Sequence, residues 1–221
     1  MKIFLDTANI NDLKKAYATG LCDGVTTNPT LAAIEGYPSF EKLTHDVLSI
    51  FTKPMDVVNF EVASLDAKTM IEEGMKLAAL SKHVIVKVPI TQDGLIACKE
   101  LTKRGIRVNV TLCFSPTQAL MAAKAGAYFI SPFVGRLDDQ NEDGMRLIEQ
   151  IKKIYTNYGI KTQILVASVR GPHHVMEAAL LGADACTIPY SVFEKLFRHE
   201  LTDIGINKFL DDWKKTKFKI K

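Results

Sequence analysis

Lys87 lies inside Val84-Ile85-Val86-Lys87-Val88-Pro89, an otherwise apolar run. A strand of that composition is buried on both faces. A lysine held there loses hydration, which favours the neutral amine. Such an amine can attack a carbonyl and form a Schiff base. The plain alternative is a lysine that snorkels out at the strand end. Asp6 and Glu61 end two other strand-like runs. Imine formation needs a proton relay to remove water from the carbinolamine, and carbon–carbon cleavage beside an imine needs a base, so two carboxylates near one lysine could divide those tasks. Either carboxylate could instead pair with Lys87, and Asp6-Thr7-Ala8-Asn9 also reads as a helix-capping segment. Arg136, Ser168 and Arg170 have the makings of an anion site: guanidinium groups grip phosphate bidentately, and a hydroxyl adds a neutral hydrogen bond. The competing reading of Arg136 is a surface salt bridge to Asp138 or Asp139.

Other features are set aside. His173 and His174 are consecutive on a helix-like stretch, so their rings should diverge rather than share a metal. Neither GxGxxG nor GxxxxGK[ST] occurs, and Pro29 blocks Asn28-Pro29-Thr30 as a glycosylation signal. We expect neither a metal nor a cofactor. Cys22, Cys98, Cys113 and Cys186 match no metal or disulfide spacing. They read as buried thiols of a reducing cytosol.

These residues need elements to bring them together. Five times a helix-like stretch stops at a glycine and a short apolar run follows: Gly20, Gly105, Gly126, Gly159 and Gly182. A glycine just past a helix fits the left-handed C-cap. The runs that follow are 23–27, 107–111, 127–131, 163–167 and 184–188. Three more strands read without the glycine, at 2–5, 56–61 and 83–88. Between them the apolar spacing is helical, as in Phe40, Leu43, Val47 and Ile50, or Leu147, Ile151, Ile154, Tyr155 and Tyr158. Ser115-Pro116 and Gly171-Pro172 put proline at a first helical position. Eight strands alternating with helices predict a single-domain (β/α)8 barrel over residues 1–221. An open doubly wound sheet is the rival, but it calls for fewer strands or a second lobe. In a closed barrel the active site lies at the C-terminal strand ends, where these polar residues fall.

The 221 residues are 47% hydrophobic and carry 28 Lys+Arg against 25 Asp+Glu, for a formal charge of +3. That apolar content argues against disorder, and so small a charge gives nucleic-acid binding no support. No apolar run has the length of a membrane span, and an acid at position six leaves no room for a signal-peptide core. A cytoplasmic protein is the expectation. Beyond the eighth unit, Ile206, Phe209, Leu210 and Trp213 give an extra amphipathic helix at about 201–221 an apolar face suited to a neighbouring subunit, and a lysine-rich tail reads as solvated.

Several segments together resemble the small-subunit branch of the transaldolase family, which includes the fructose-6-phosphate aldolases. They are Phe4-Leu5-Asp6-Thr7-Ala8-Asn9, Gly24-Val25-Thr26-Thr27-Asn28-Pro29-Thr30, Val86-Lys87-Val88-Pro89, Ser131-Pro132-Phe133-Val134-Gly135-Arg136 and Ala167-Ser168-Val169-Arg170. The resemblance covers the whole chain and implies a metal-free class I enzyme. Lys87 matches the Schiff-base lysine and Asp6 the acid/base of bond cleavage. Glu61 matches the carboxylate that works through a water, which Thr111 helps to hold. Asn28 and Asn109 match residues that bind substrate hydroxyls, with Ser131 beside them. Arg136, Ser168 and Arg170 match the phosphate grip. The implied substrates are ketose and aldose phosphates, and the implied assembly is a homo-oligomer, a pentamer paired into a decamer through the final helix. The aldolase branch carries a tyrosine in the segment matching Ser131-Pro132-Phe133 and a glutamine where Glu61 stands, so Phe133 points to transfer of a dihydroxyacetone unit rather than its release. Two other readings are open: a sugar-phosphate-binding barrel without turnover, and a metal-dependent aldolase, which would want clustered His/Asp/Glu ligands at the strand ends.

Overall fold

The computed structural model describes residues 1–216 and 218. The strands are β1 (Lys2–Asp6), β2 (Gly24–Thr26), β3 (Val57–Glu61), β4 (Val84–Pro89), β5 (Val108–Cys113), β6 (Phe129–Pro132), β7 (Gln163–Val166) and β8 (Ala185–Ile188). Each pairs in parallel with the next, and β8 pairs with β1, so the sheet closes into a barrel. This is a single-domain (β/α)8 barrel. All eight strands fall within one or two residues of the segments read from the sequence.

Strand alternation builds two cores from one apolar run. In β4, Val84, Val86 and Val88 point outward and pack under the helices. Ile85 points inward and joins Phe4, Val57, Phe129, Leu165 and Ala185 in a plug at the base of the barrel. The rings of Phe4 and Phe129 meet edge to face there, with centroids 5.9 Å apart. Two residues further along each strand, the same parity brings Asp6, Asn59, Lys87 and Ser131 inward. A polar layer thus sits directly on an apolar one.

The helices start and stop where the local chemistry asks. In α6 (Pro116–Lys124) a capping box joins Ser115 and Gln118. Pro172 opens α9 (Pro172–Leu180). The five glycines expected at helix C-termini all have positive φ, between 60° and 89°. Leu43, Val47 and Ile50 bury one face of α3 (Phe40–Ile50), while Phe40 is exposed. Leu147, Ile151 and Tyr155 do the same on α8 (Gly144–Asn157), and Tyr158 lies just past its end, exposed. Two short helices escape the sequence pattern, α2 (Pro29–Ile34) and α7 (Val134–Asp138). Both sit at the rim, where loops carry function. The extra helix is present as α11 (Glu200–Lys215), and Phe209, Leu210 and Trp213 on it are exposed. Lys217, Lys219, Ile220 and Lys221 of the basic tail lie outside the described residues. No described helix is long and apolar enough to cross a membrane. All four cysteines are buried and free, and burial pushes the Cys98 and Cys186 thiols up to about 12.

Candidate active site

At the C-terminal ends of the strands opens a cavity of about 610 Å³. Its wall holds Asp6, Asn28, Glu61, Lys87, Thr111, Ser131, Phe133, Arg136, Ser168 and Arg170. Asn109 alone among the expected site residues does not line it. That side chain is fully buried one layer deeper, where it donates to Asn59 Oδ1 at 3.1 Å and accepts from the Ser131 hydroxyl at 2.8 Å. Asn59 in turn donates to the Val25 carbonyl at 3.1 Å. The result is a hydrogen-bonded floor across four strands.

Lys87 is 5% exposed and does not snorkel. Its register neighbours are Glu61 on β3 and Asn109 on β5. Nζ stands 3.0 Å from Glu61 Oε2 and donates to the Thr27 carbonyl at 3.3 Å. Of the two readings open from the sequence, a carboxylate that serves the amine and one that pairs with it, the structure shows Glu61 paired with Lys87 at hydrogen-bond distance. That carboxylate is a ready acceptor for the proton that must leave Nζ before attack.

Asp6 stands at the end of β1. Thr26, its register neighbour on β2, donates to Oδ1 at 2.8 Å. The hydroxyls of Thr26 and Thr187 are 2.7 Å apart, so with Thr26 donating to Asp6, Thr187 supplies the proton between them. Burial holds the Asp6 carboxyl above the usual carboxylate range, against the pull of the Lys87 charge and the Thr26 hydrogen bond. Asp6 therefore does not serve as a helix cap. The N-cap of α1 (Ile10–Ala18) is Asn9, whose side chain accepts from the Asn11 and Asp12 amides.

Thr111 Oγ1 is buried and has no hydrogen-bond partner among the described residues. Buried hydroxyls are rarely left so, and those that are point to a water or a substrate group. Next to it Leu112 has φ 61°, where β5 shifts register against β6. Ser168 has φ 62° on the same rim, just after β7. Left-handed backbone at two non-glycine residues beside one cavity is strain stored at a site. Asn28 caps α2 by accepting from the Leu31 amide through Oδ1 at 3.0 Å, which leaves its amide NH2 for the cavity.

Arg136 approaches from α7, after β6, and Arg170 from the neighbouring loop after β7. The Arg136 guanidinium lies over the Phe133 ring, 5.1 Å from its centroid. It forms no salt bridge among the described residues. Asp139 pairs with Arg170, and Asp138 pairs with His174, so the expected pairing of Arg136 with either is not found. The two segments touch closely: Gly135 donates to the Ser168 carbonyl at 3.1 Å, and a Cβ on Gly135 would lie 2.0 Å from that oxygen. Only glycine permits this approach. His173 and His174 do not diverge as expected, since their ring centroids are 4.1 Å apart. No group of three or more His, Cys, Asp or Glu side chains is arranged to hold a metal among the described residues.

Sequence reasoning passed over Asn59. Its signal was its parity, as a polar residue midway between inward-facing Val57 and Glu61. Thr26, Thr187 and Asp138 were visible only as a strand residue, a strand end and an arginine partner.

Residues 3–220 match the family described as Transaldolase/Fructose-6-phosphate aldolase. A "Probable transaldolase" of Anaeromyxobacter sp. (strain K) is 56% identical over 215 residues, 97% of each chain. One of Aquifex aeolicus (strain VF5) has the same identity and coverage. One of Desulfatibacillum aliphaticivorans is 55% identical over 217 residues, 98% of this chain and all of that one. Matched from end to end, and with a lysine, two carboxylates and two arginines around one barrel mouth, the chain belongs to the transaldolase/fructose-6-phosphate aldolase family.

Proposed function

We propose that this protein is a transaldolase that moves a dihydroxyacetone unit between sugar phosphates through a Schiff base on Lys87. The observation that carries the reading is the buried Lys87 amine, 3.0 Å from Glu61, in a cavity that Asp6 also lines. Glu61 takes a proton from Nζ, and the freed amine attacks the C2 carbonyl of a ketose phosphate. Glu61 passes that proton, and then a second taken from the nitrogen, through a water at the Thr111 hydroxyl to the carbinolamine oxygen, which departs as water and leaves an iminium. Asp6 then removes the proton of the C4 hydroxyl. The C3–C4 bond breaks, its electron pair flows into the iminium to give an enamine, and C4 leaves as the aldehyde of an aldose phosphate. A second aldose phosphate accepts the enamine carbon. Asp6 returns its proton to the new alkoxide, and hydrolysis frees Lys87. The held-up proton affinity of Asp6 suits a group that must take a hydroxyl proton and give it back.

Arg136, Ser168 and Arg170 would grip the phosphate, and Asn28 and Ser131 would meet substrate hydroxyls, with Asn109 fixing Ser131 from below. The implied reaction converts sedoheptulose 7-phosphate and glyceraldehyde 3-phosphate to erythrose 4-phosphate and fructose 6-phosphate, in the pentose phosphate pathway of the cytoplasm. The exposed apolar face of α11 supports assembly into pentamers and decamers, which light scattering would read. Phe133 lines the cavity and has no proton to give the enamine, which favours transfer over release of dihydroxyacetone. Purified protein given fructose 6-phosphate should form product only when erythrose 4-phosphate is added, and Phe133→Tyr should raise dihydroxyacetone release relative to transfer. Rapid release by the unaltered protein without an acceptor would favour the aldolase reading, and no turnover with either would favour a binding protein.

A further inference from the structure

The two segments that carry the arginines are joined by a histidine that the scheme above does not use. His174 is 3% exposed and sits in the first turn of α9, behind the loop bearing Ser168 and Arg170. Its Nδ1 accepts from the backbone N–H of Arg170 at 3.2 Å. Its Nε2 lies 2.8 Å from Asp138 Oδ2, at the end of α7, the short helix that bears Arg136. Because Arg170 is the donor, Nδ1 must hold a lone pair, and the ring proton is on Nε2, facing the carboxylate. Asp138 Oδ1 accepts in turn from the Gly144 backbone at 3.0 Å. Both carboxylate oxygens are therefore acceptors, a pattern that an amide side chain cannot reproduce.

We infer that His174 is a positioning residue for phosphate binding, tying the Arg170 backbone to the Arg136 helix so that both guanidinium groups close on one phosphate. This rests on the reading of Arg136, Ser168 and Arg170 as the grip for a phosphorylated sugar. A helix cap would explain the bond to Arg170 alone. The bond to Asp138, two residues from Arg136, is what a cap does not need. Burial, aided by the nearby His173, holds the ring below the usual imidazole value despite the Asp138 carboxylate, in keeping with a neutral imidazole that both accepts and donates. The Arg170 side chain reaches the Arg136 segment only through an exposed pair with Asp139, worth little in water. Arg136 leans on Phe133, and the Arg170 guanidinium pairs with Asp139 on the surface. With that pair weak, the spacing is set by the backbone, through the Gly135–Ser168 bond and the His174 tie. An error of an ångström there weakens a bidentate grip without touching Lys87.

The test is inorganic phosphate binding by calorimetry, alongside steady-state kinetics with fructose 6-phosphate and erythrose 4-phosphate. His174→Ala should weaken phosphate binding about tenfold, the scale of two lost buried hydrogen bonds. It should raise KM for fructose 6-phosphate in parallel and change kcat by less than about threefold. His174→Asn keeps an acceptor for the Arg170 amide and should fall between the two. If His174→Ala fails to fold, His174→Asn and His174→Gln carry the same comparison. A folded variant with unchanged phosphate affinity, a loss confined to kcat, or an unaltered protein that takes up no phosphate would each overturn the inference. Borohydride trapping on the unaltered protein separates the two claims: phosphate binding that depends on His174, without any trapped imine, would remove the transaldolase reading and leave this one standing.

Discussion

Replacing Thr111 with valine should make the protein more stable and less active. Thr111 is 1% exposed, and Oγ1 finds no protein partner among the described residues, so only cavity water or substrate can meet it. A buried polar group left so costs about 1–3 kcal/mol. Valine has nearly the same shape and no such group, and a water in the cavity would reduce the gain. We therefore expect Thr111→Val to add about 1 kcal/mol, the low end of that range. In a chain of this size that raises Tm by about 2–4 °C. If the hydroxyl holds the water through which Glu61 works, kcat should fall roughly ten- to a hundredfold, part of the 10²–10⁴ that positioned proton transfer supplies. Scanning calorimetry gives the first number and a coupled transfer assay the second. A variant that is less stable and equally active would refute the reasoning, for the hydroxyl would then be a packing group with a bonded partner.

Asp6→Asn should also stabilise the protein, increasingly with pH. The folded-state proton affinity of Asp6 is raised, so its stabilising contribution is full below the unfolded value near 3.8 and is lost as pH climbs through the folded value. Urea melts at pH 4 and pH 7.5 should show the variant gaining on the parent at the higher pH, with transfer activity abolished. Asp139→Asn removes the carboxylate that holds the Arg170 guanidinium in the free protein; an exposed pair of this kind is worth about 0.2–1 kcal/mol, so calorimetry should show inorganic phosphate binding up to about fivefold tighter. Gly135→Ala drives a Cβ against the Ser168 carbonyl. It should cost about 2–4 kcal/mol in urea melts and raise KM for fructose 6-phosphate more than it lowers kcat.

Much of the barrel is written locally. Each strand is a short apolar run, and each of the five helix-ending glycines sits at the positive φ that its place requires. Lys87 stood out because a charge interrupts such a run, and strand parity placed it inward beside Glu61. What the sequence hides is set by contacts across the closed sheet. Asn109 looks like any strand-end amide until Asn59 and Ser131 consume its side chain below the cavity. His174 and Asp138 are 36 residues apart, and only the meeting of two rim segments brings them to 2.8 Å. That a carboxylate pairs with Lys87 was open from the sequence, but which one was not legible there. The choice of Glu61 over Asp6 is made by register in the closed ring, which sets Glu61 beside Lys87.

The claim beneath all of this is that the Lys87 amine forms the covalent bond to substrate. Protein incubated with fructose 6-phosphate, reduced with borohydride, digested and weighed by mass spectrometry should carry the reduced sugar adduct on the peptide containing Lys87, and Lys87→Ala should carry none and turn over nothing. An adduct on another lysine, or an active Lys87→Ala protein, would contradict the account.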